Sequence, residues 1–414
     1  MKSRRLLAEF FGLRRNLVVL LIAIFAIGAG EELWMRFVPK YLQALGATVF
    51  VIGAFDAIRT LLGAIYAYPG GIVVDRWGFR RALIGFNLLS IIGYALVLLI
   101  PHWGAVICGM FLFLSWSCFS LPASFSLVGE TLEAHRYAMG IGVQSVIKRL
   151  PIMVAPFLGG VLIDRFGMIQ GVRIGLAASI VISSATILIQ RQLGEVPSRS
   201  KPSNRPTFWG SLTKFDAPLR RLLLSDILIR FCERLPFAWV VIYAMDYVGA
   251  DAKQVGLLIT IEVLTATLCI IPVSHFADKY GREPFVLVTF MMFSLFPVAL
   301  WFSGNFALLA VAFAIRGLKE FGDTPRKALI ISYSDPQRRG QMIGTYYFVR
   351  DFVVSSGAIV GAVLWKFGPG VNFLTASLLG LLGTLYYFIT LPPEQKSWSR
   401  HLRFPSPLPL RKMP

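Results

Sequence analysis

The chain has 414 residues, 56% hydrophobic and only 15% charged, with a mean hydropathy of +0.67. A water-soluble domain covers its surface with roughly 25% charge, so a soluble globular fold is excluded and a polytopic membrane protein is expected. The net charge of +19 does not imply nucleic acid as a partner, because a basic excess beside membrane spans sets orientation and meets anionic lipid head groups.

Windows of about 19 residues give twelve apolar stretches, each able to cross roughly 30 Å of hydrocarbon as a helix. In chain order spans 1 to 12 are 17-41, 48-70, 82-101, 104-130, 138-163, 168-190, 218-247, 252-276, 284-303, 306-334, 340-365 and 371-391. The first begins like a secretory leader, with basic residues, an apolar run from Leu17 to Ile27 and small residues near Gly28. However, Gly46-Ala47 recurs 203 residues later as Gly249-Ala250, so this region has a counterpart in the second half and span 1 is retained. Cys108, Cys118, Cys232 and Cys269 fall inside apolar stretches without paired or metal-like spacing, as packed or lipid-facing thiols do.

A basic-aromatic-glycine signature closes every third span. It reads Asp75-Arg76-Trp77-Gly78, Asp164-Arg165-Phe166-Gly167, Asp278-Lys279-Tyr280-Gly281 and Trp365-Lys366-Phe367-Gly368. The second copy lies 89 residues after the first, the third 203 after the first and the fourth 87 after the third. Three helices therefore form the repeating unit, and an odd number per unit inserts consecutive units upside down relative to one another.

Lys and Arg crowd before span 1 (Lys2, Arg4, Arg5, Arg14, Arg15), after span 2 (Arg76, Arg80, Arg81), between spans 6 and 7, and after span 12. Both termini are thus expected in the cytoplasm, in a plasma (inner) membrane. The expected fold is an all-α membrane protein with twelve transmembrane helices in two pseudo-symmetric six-helix bundles. Residues 1-190 form one bundle, 191-216 a Pro- and Ser-rich cytoplasmic linker, 217-391 the second bundle and 392-414 a basic cytoplasmic tail.

The run Gly71-x-x-x-Asp75-Arg76-x-Gly78-x-Arg80-Arg81, with its counterpart Ser274-x-x-x-Asp278-Lys279-x-Gly281-Arg282, resembles the signature of the major facilitator superfamily. The resemblance covers essentially the whole chain and implies the major facilitator fold. It also implies that Asp75 faces the start of span 11 and Asp278 the start of span 5, a carboxylate against a helix N-terminus, steadying the outward-open state. Phe79 stands where the family often has an Arg, and Ser274 replaces a Gly, so the latch falls to Arg80 with Glu130 or Glu133. A topogenic basic loop with a tight Gly turn explains part of the same residues. In span 5, Gly142 and Ala155-Pro156-x-x-Gly159-Gly160 are similar to a Gly-Pro-rich pattern of antiporters in this superfamily, with Pro151 and Ala155 in place of two of its glycines. Close helix packing is the competing account. Span 4 lacks the Arg typical of proton-coupled exporters, whereas span 10 carries Arg316-Gly317.

An ionisable group at the bilayer centre costs at least about 2.5 to 3.5 kcal/mol, so each needs a partner, water or a function. Glu32 with Arg36, Asp56 with Arg59, Asp226 with Arg230, Arg316 with Glu320 and Asp323 with Lys327 have the spacing of pairs on one helix face. Glu31, Lys148, Arg149, Glu233, Arg234, Glu262, Lys319, Arg350 and Asp351 have no assured partner of that kind, although Arg230 also reaches Glu233. Counting into spans 5 and 11 places Lys148 and Arg350 about 15 Å deep, at matching positions in the two halves. Lys148, Arg149, Arg350, Arg234 and Lys319 are therefore the candidate solute-binding residues. Glu31, Glu233, Glu262 and Asp351 are the candidate proton carriers, with structural salt bridges as the competing account.

These features predict a secondary carrier of a small organic anion or amphipathic metabolite, working alone as a monomer and without a cofactor, with proton coupling as an option. The first alternative is a proton-driven drug or metabolite efflux antiporter; outside transport, a receptor or lipid scramblase on the same fold. His102, His135, His275 and His401 are scattered and no Walker sequence is present, so neither an enzyme nor an ATP-driven pump is expected.

Overall fold

The computed structural model describes residues 15–118, 137–194, 215–334 and 339–392, and every element among them is helical. Span 1 is Arg15–Met35 followed after a break by Val38–Ala44, span 2 is Val49–Trp77, span 3 Phe79–Leu99 and span 6 Met168–Gln190. Span 4 begins with Trp103–Phe113 and span 5 is Tyr137–Phe166. Span 7 is Ala217–Arg234 and Trp239–Asp246, span 8 Ala252–Tyr280, span 9 Glu283–Trp301, span 10 Phe306–Leu318 and Asp323–Ser332, span 11 Arg339–Lys366 and span 12 Pro369–Thr390. Among the described residues, spans 1, 3, 6, 8, 9, 11 and 12 each contain a helix long and apolar enough to cross a membrane. The chain is a multi-pass membrane protein of twelve helices in two bundles. Most of the expected linker, the C-terminal tail, Glu130 and Glu133 lie outside the described residues, as do Gly71 and the side chains of Asp75, Asp278 and Lys279.

The packing repeats between the halves. Span 1 lies against spans 5 and 6 as span 7 lies against spans 11 and 12; span 3 lies against 4 and 6 as span 9 lies against 10 and 12. The halves meet where span 5 packs on span 8 and span 2 on span 11. A row of buried apolar side chains including Trp34, Phe113, Trp239, Phe313 and Phe373 runs through both halves, with Trp34 edge-on to Tyr94 and Phe113.

The signature glycines have one backbone property in common. Among the described residues, positive φ occurs only at Gly78 (76°), Gly167 (81°), Gly281 (94°) and Gly368 (119°) and at the repeated pair Gly46 (81°) and Gly249 (80°). Glycine occupies this region without the Cβ penalty, which lets the chain reverse directly into the next span. Arg76 lies in the last turn of span 2, Arg80 is half-buried in span 3, and Arg282 is the residue preceding span 9.

Candidate solute site between the halves

Span 1 starts and span 12 ends on one face of the bundle, here the terminal face; the opposite side is the far face. At the far face the halves are locked by backbone-to-backbone contact. A Cβ on Gly160 of span 5 would lie 2.3 Å from the Ala252 carbonyl oxygen of span 8, and one on Gly256 would lie 2.5 Å from the Pro156 carbonyl oxygen. Gly53 does the same for spans 2 and 11, its Cβ position being 2.8 Å from the Ala358 carbonyl oxygen. The Ala155-Pro156-x-x-Gly159-Gly160 run is thus a packing seam, with Gly159 pressed on Leu33 of span 1 and Gly160 on span 8.

Asp164, from the second copy of the signature, reinforces this seam. Its Oδ1 accepts from the Ala252 N–H at 2.9 Å and its Oδ2 from the Lys253 N–H at 2.8 Å. Asp251 receives the Gln254 N–H at 2.6 Å and completes a capping box. Three N–H groups in the first turn of span 8 are thereby satisfied, two of them by a carboxylate from the other half. Lys40 and Asp246 form a further ion pair across the same face.

On the terminal-face side of this seal a cavity of about 880 Å³ lies between spans 2, 7 and 11, a size suited to one small organic molecule. Its charged lining is Arg59, Arg230, Arg234 and Arg350 against Glu233 and Asp351, and its aromatic lining is Phe237, Tyr347 and Phe348. Gly63 and Gly344 also line it, and a Cβ at either would meet nothing within 4 Å. The cavity is capped toward the far face by a cross-half ion pair, Arg234 Nη1 lying 3.1 and 3.3 Å from the two carboxylate oxygens of Asp56.

The second half carries a continuous charge network. Asp226, Arg230 and Glu233 fall on one face of span 7 by their helical spacing. Arg326 donates to Asp226 at 2.5 Å and to Asp323 at 2.6 Å; Arg230 donates to Glu233 at 2.9 Å. Lys319 donates to Glu233 at 2.7 Å and stands 3.6 Å from Glu262, which also meets Arg316 at 3.3 Å. Arg350 reaches Asp226 at 3.3 Å and Asp351 at 2.7 Å and stacks on the Tyr347 ring, 4.6 Å from its centroid. The breaks in spans 7 and 10 assemble this network. Lys319 caps the first segment of span 10, and Gly322 passes so close to span 9 that a Cβ would lie 2.5 Å from the Phe285 carbonyl oxygen.

Of the intrahelical pairs expected from spacing, Glu32 with Arg36 (2.8 Å), Asp226 with Arg230 (3.8 Å) and Asp323 with Lys327 (2.7 Å) are formed. Two are not. Asp56 turns to Arg234 rather than to Arg59, and Arg316 turns to Glu262 while Glu320 takes Arg149 of the other half at 3.4 Å. In both cases a cation on a facing helix outcompetes the neighbour one turn away, which spacing within one helix cannot reveal.

The candidate residues therefore separate. Arg350 and Arg234 line the cavity, whereas Lys319 is held by Glu233 and Glu262 and Arg149 by Glu320. Lys148 is exposed, and its charge, with that of Arg59, acts on Glu31 of span 1. Glu31 is buried and accepts a hydrogen bond from Ser117 at 2.5 Å. Of the four candidate proton carriers, only Glu31 has no cation within ion-pair distance among the described residues; Glu233, Glu262 and Asp351 all have one. Sequence reasoning missed Arg326, whose signal was its position three residues after Asp323, a second helical-spacing partner for that carboxylate besides Lys327, and it dismissed Arg59 as half of a pair.

The family model described as Major Facilitator Superfamily matches residues 20–243 and 222–412. The chain belongs to the major facilitator superfamily. It is therefore a secondary transporter that handles small-molecule solutes. "Multidrug resistance protein MdtG" of Enterobacter lignolyticus is 21% identical over 393 residues, covering 91% of this chain and 92% of that protein. Among solved structures, a mutant form of the nucleoside transporter NupG superposes with a TM-score of 0.77 at 13% identity, covering 91% of this chain and 100% of that one. The human organic anion transporter MFSD10 (TETRAN) superposes with a TM-score of 0.62 at 16% identity, covering 90% and 99%. At these identities the structural likenesses speak to fold alone.

Proposed function

We propose that this transporter carries a small organic anion or amphipathic metabolite through the cavity between spans 2, 7 and 11. The observation that carries the reading is the lining itself, four cations against two carboxylates beside three aromatic rings. An excess of guanidinium groups in a low-dielectric chamber favours a carboxylate, sulfonate or phosphate group, and aromatic walls take up the remainder of the solute. A name among the fold neighbours, the organic anion transporter, is in keeping with this. Arg350 and Arg234 serve as solute-facing cations; Lys148, exposed on span 5, stands outside this lining, and Arg149 and Lys319 act through the salt bridges that hold the halves and the network.

With both termini in the cytoplasm of a plasma-membrane protein, the far face is external and this conformation faces inward. Transport then proceeds by rocking of residues 1-190 against 217-391, in a monomer that performs no enzymatic chemistry. Protonation couples through Glu31, where loading and unloading a proton breaks no salt bridge. Asp75, with Arg76 and Arg80, and Asp278, with Lys279 and Arg282, would be the matching latch at the cytoplasmic face. A second reading, proton-driven efflux of drugs, is favoured by the name of the relative MdtG.

A thermal-shift screen of purified protein against aromatic carboxylates, sulfonates, neutral drugs and tetraphenylphosphonium tests the solute class. The anions are expected to stabilise the protein, and Arg234→Ala and Arg350→Ala, both in the cavity lining, to lose that response. Stabilisation by the cation, retained in both variants, would sink the anion reading.

A further inference from the structure

Arg59 lies about ten residues into span 2, near mid-membrane. It lines the 880 Å³ cavity and also a smaller void of about 30 Å³ toward the far face. Its guanidinium makes no hydrogen bond or ion pair among the described residues, while the three other arginines of the cavity, Arg230, Arg234 and Arg350, are all paired with carboxylates. An Arg at this depth without a partner is costly. The carboxylate that spacing offers it, Asp56, sits one turn away on the same face but is given over to Arg234 of the other half.

We propose that Arg59 is the anion-receiving cation of the solute site and that Asp56 alternates between Arg234 and Arg59 as the halves rock; this rests on the anion reading above. With the far face sealed, Asp56 bridges the halves and Arg59 is left to the solute. When the far face opens, spans 2 and 7 part, Arg234 withdraws, and Asp56 falls back on the cation one turn away. An anion arriving from that side displaces Asp56 from Arg59, and the freed carboxylate takes Arg234 and draws the halves shut. Solute binding and closure are thereby one exchange of partners, and the solute shifts the equilibrium by its preference for the closed state. Open space beside Gly63, one turn further along span 2, leaves room for the body of the solute against Tyr347 and Phe348.

The test titrates benzenesulfonate, and its neutral isostere benzenesulfonamide, into purified full-length parent, Arg59→Gln, Arg59→Lys and Asp56→Asn proteins by calorimetry. Arg59→Gln is expected to weaken benzenesulfonate by about tenfold or more, the loss of one charge-assisted fork, and to leave benzenesulfonamide within about twofold. Asp56→Asn, lacking the competitor, binds benzenesulfonate at least as tightly as the parent. If Arg59→Gln does not fold, Arg59→Lys is read instead, with a several-fold loss confined to the anion. Unchanged benzenesulfonate affinity in the Arg59 variants, with loss in Arg350→Gln, overturns the assignment of Arg59 and leaves the anion site standing. Binding of tetraphenylphosphonium and of neither sulfonyl compound by the parent overturns the anion site and this inference together.

Discussion

Asp164→Asn isolates the electrostatic part of the far-face seal. The carboxylate takes two N–H groups of span 8 at 2.9 and 2.8 Å, and its charge faces the positive end of that helix. Asparagine keeps one acceptor oxygen and loses both the second bond and the charge. A carboxylate at a helix N-terminus contributes about 0.3 to 1 kcal/mol, and a charged hydrogen bond roughly 1.5 to 3 kcal/mol. Because Asp164 is exposed, the low end applies, and a loss of about 1 kcal/mol corresponds to about a fivefold shift toward the far-face-open state. Spin labels on Thr48→Cys and Gly304→Cys, far-face turns in different halves, report the two states as two distance populations once the native cysteines are replaced. The longer population should grow in Asp164→Asn, and Asp75→Asn should do the reverse if the superfamily signature holds the other face. An unchanged distribution in Asp164→Asn, in a protein that still folds, refutes the idea that this carboxylate latches the halves.

Gly160→Ala places a methyl carbon 2.3 Å from the Ala252 carbonyl oxygen, against backbone that has no flexible end to yield. It should shift the same spin-label pair further than Asp164→Asn does, with Gly63→Ala, facing open space, as the silent control. Arg326→Gln removes the closest cation from the fully buried Asp226 and leaves it Arg350 at 3.3 Å and Arg230 at 3.8 Å. Breaking a buried pair outright typically costs about 3 to 5 kcal/mol; with two cations remaining the loss falls below that range but still lowers the melting temperature in detergent, whereas Lys327→Gln on an exposed side chain should leave it unchanged. Glu31→Gln should uncouple transport in vesicles from an imposed pH gradient without abolishing exchange; undiminished coupling would remove Glu31 from the proton path.

The four signature copies made the fold legible because each ends in a glycine that the backbone requires. Gly78, Gly167, Gly281 and Gly368 all hold positive φ, a conformational demand written directly into residue type. The second copy also carried a latch carboxylate, Asp164, on the face opposite to the one the superfamily resemblance stressed. The pairing of membrane charges was only half legible. Periodicity identifies neighbours on one helix, as for Glu32 and Arg36, yet it is blind to the facing helix that claimed Asp56, Glu262 and Glu320. Arg59 was hidden for the same reason, since its freedom follows from where another half places Arg234.

Counterflow in proteoliposomes most directly tests whether a charged chamber between two rocking halves carries an anion. Vesicles loaded with unlabelled benzenesulfonate and diluted into the labelled compound should show a transient, saturable overshoot of label, abolished in Arg350→Ala. Overshoot with labelled tetraphenylphosphonium but none with the sulfonate, or entry of label at the rate of protein-free vesicles for both, contradicts the account.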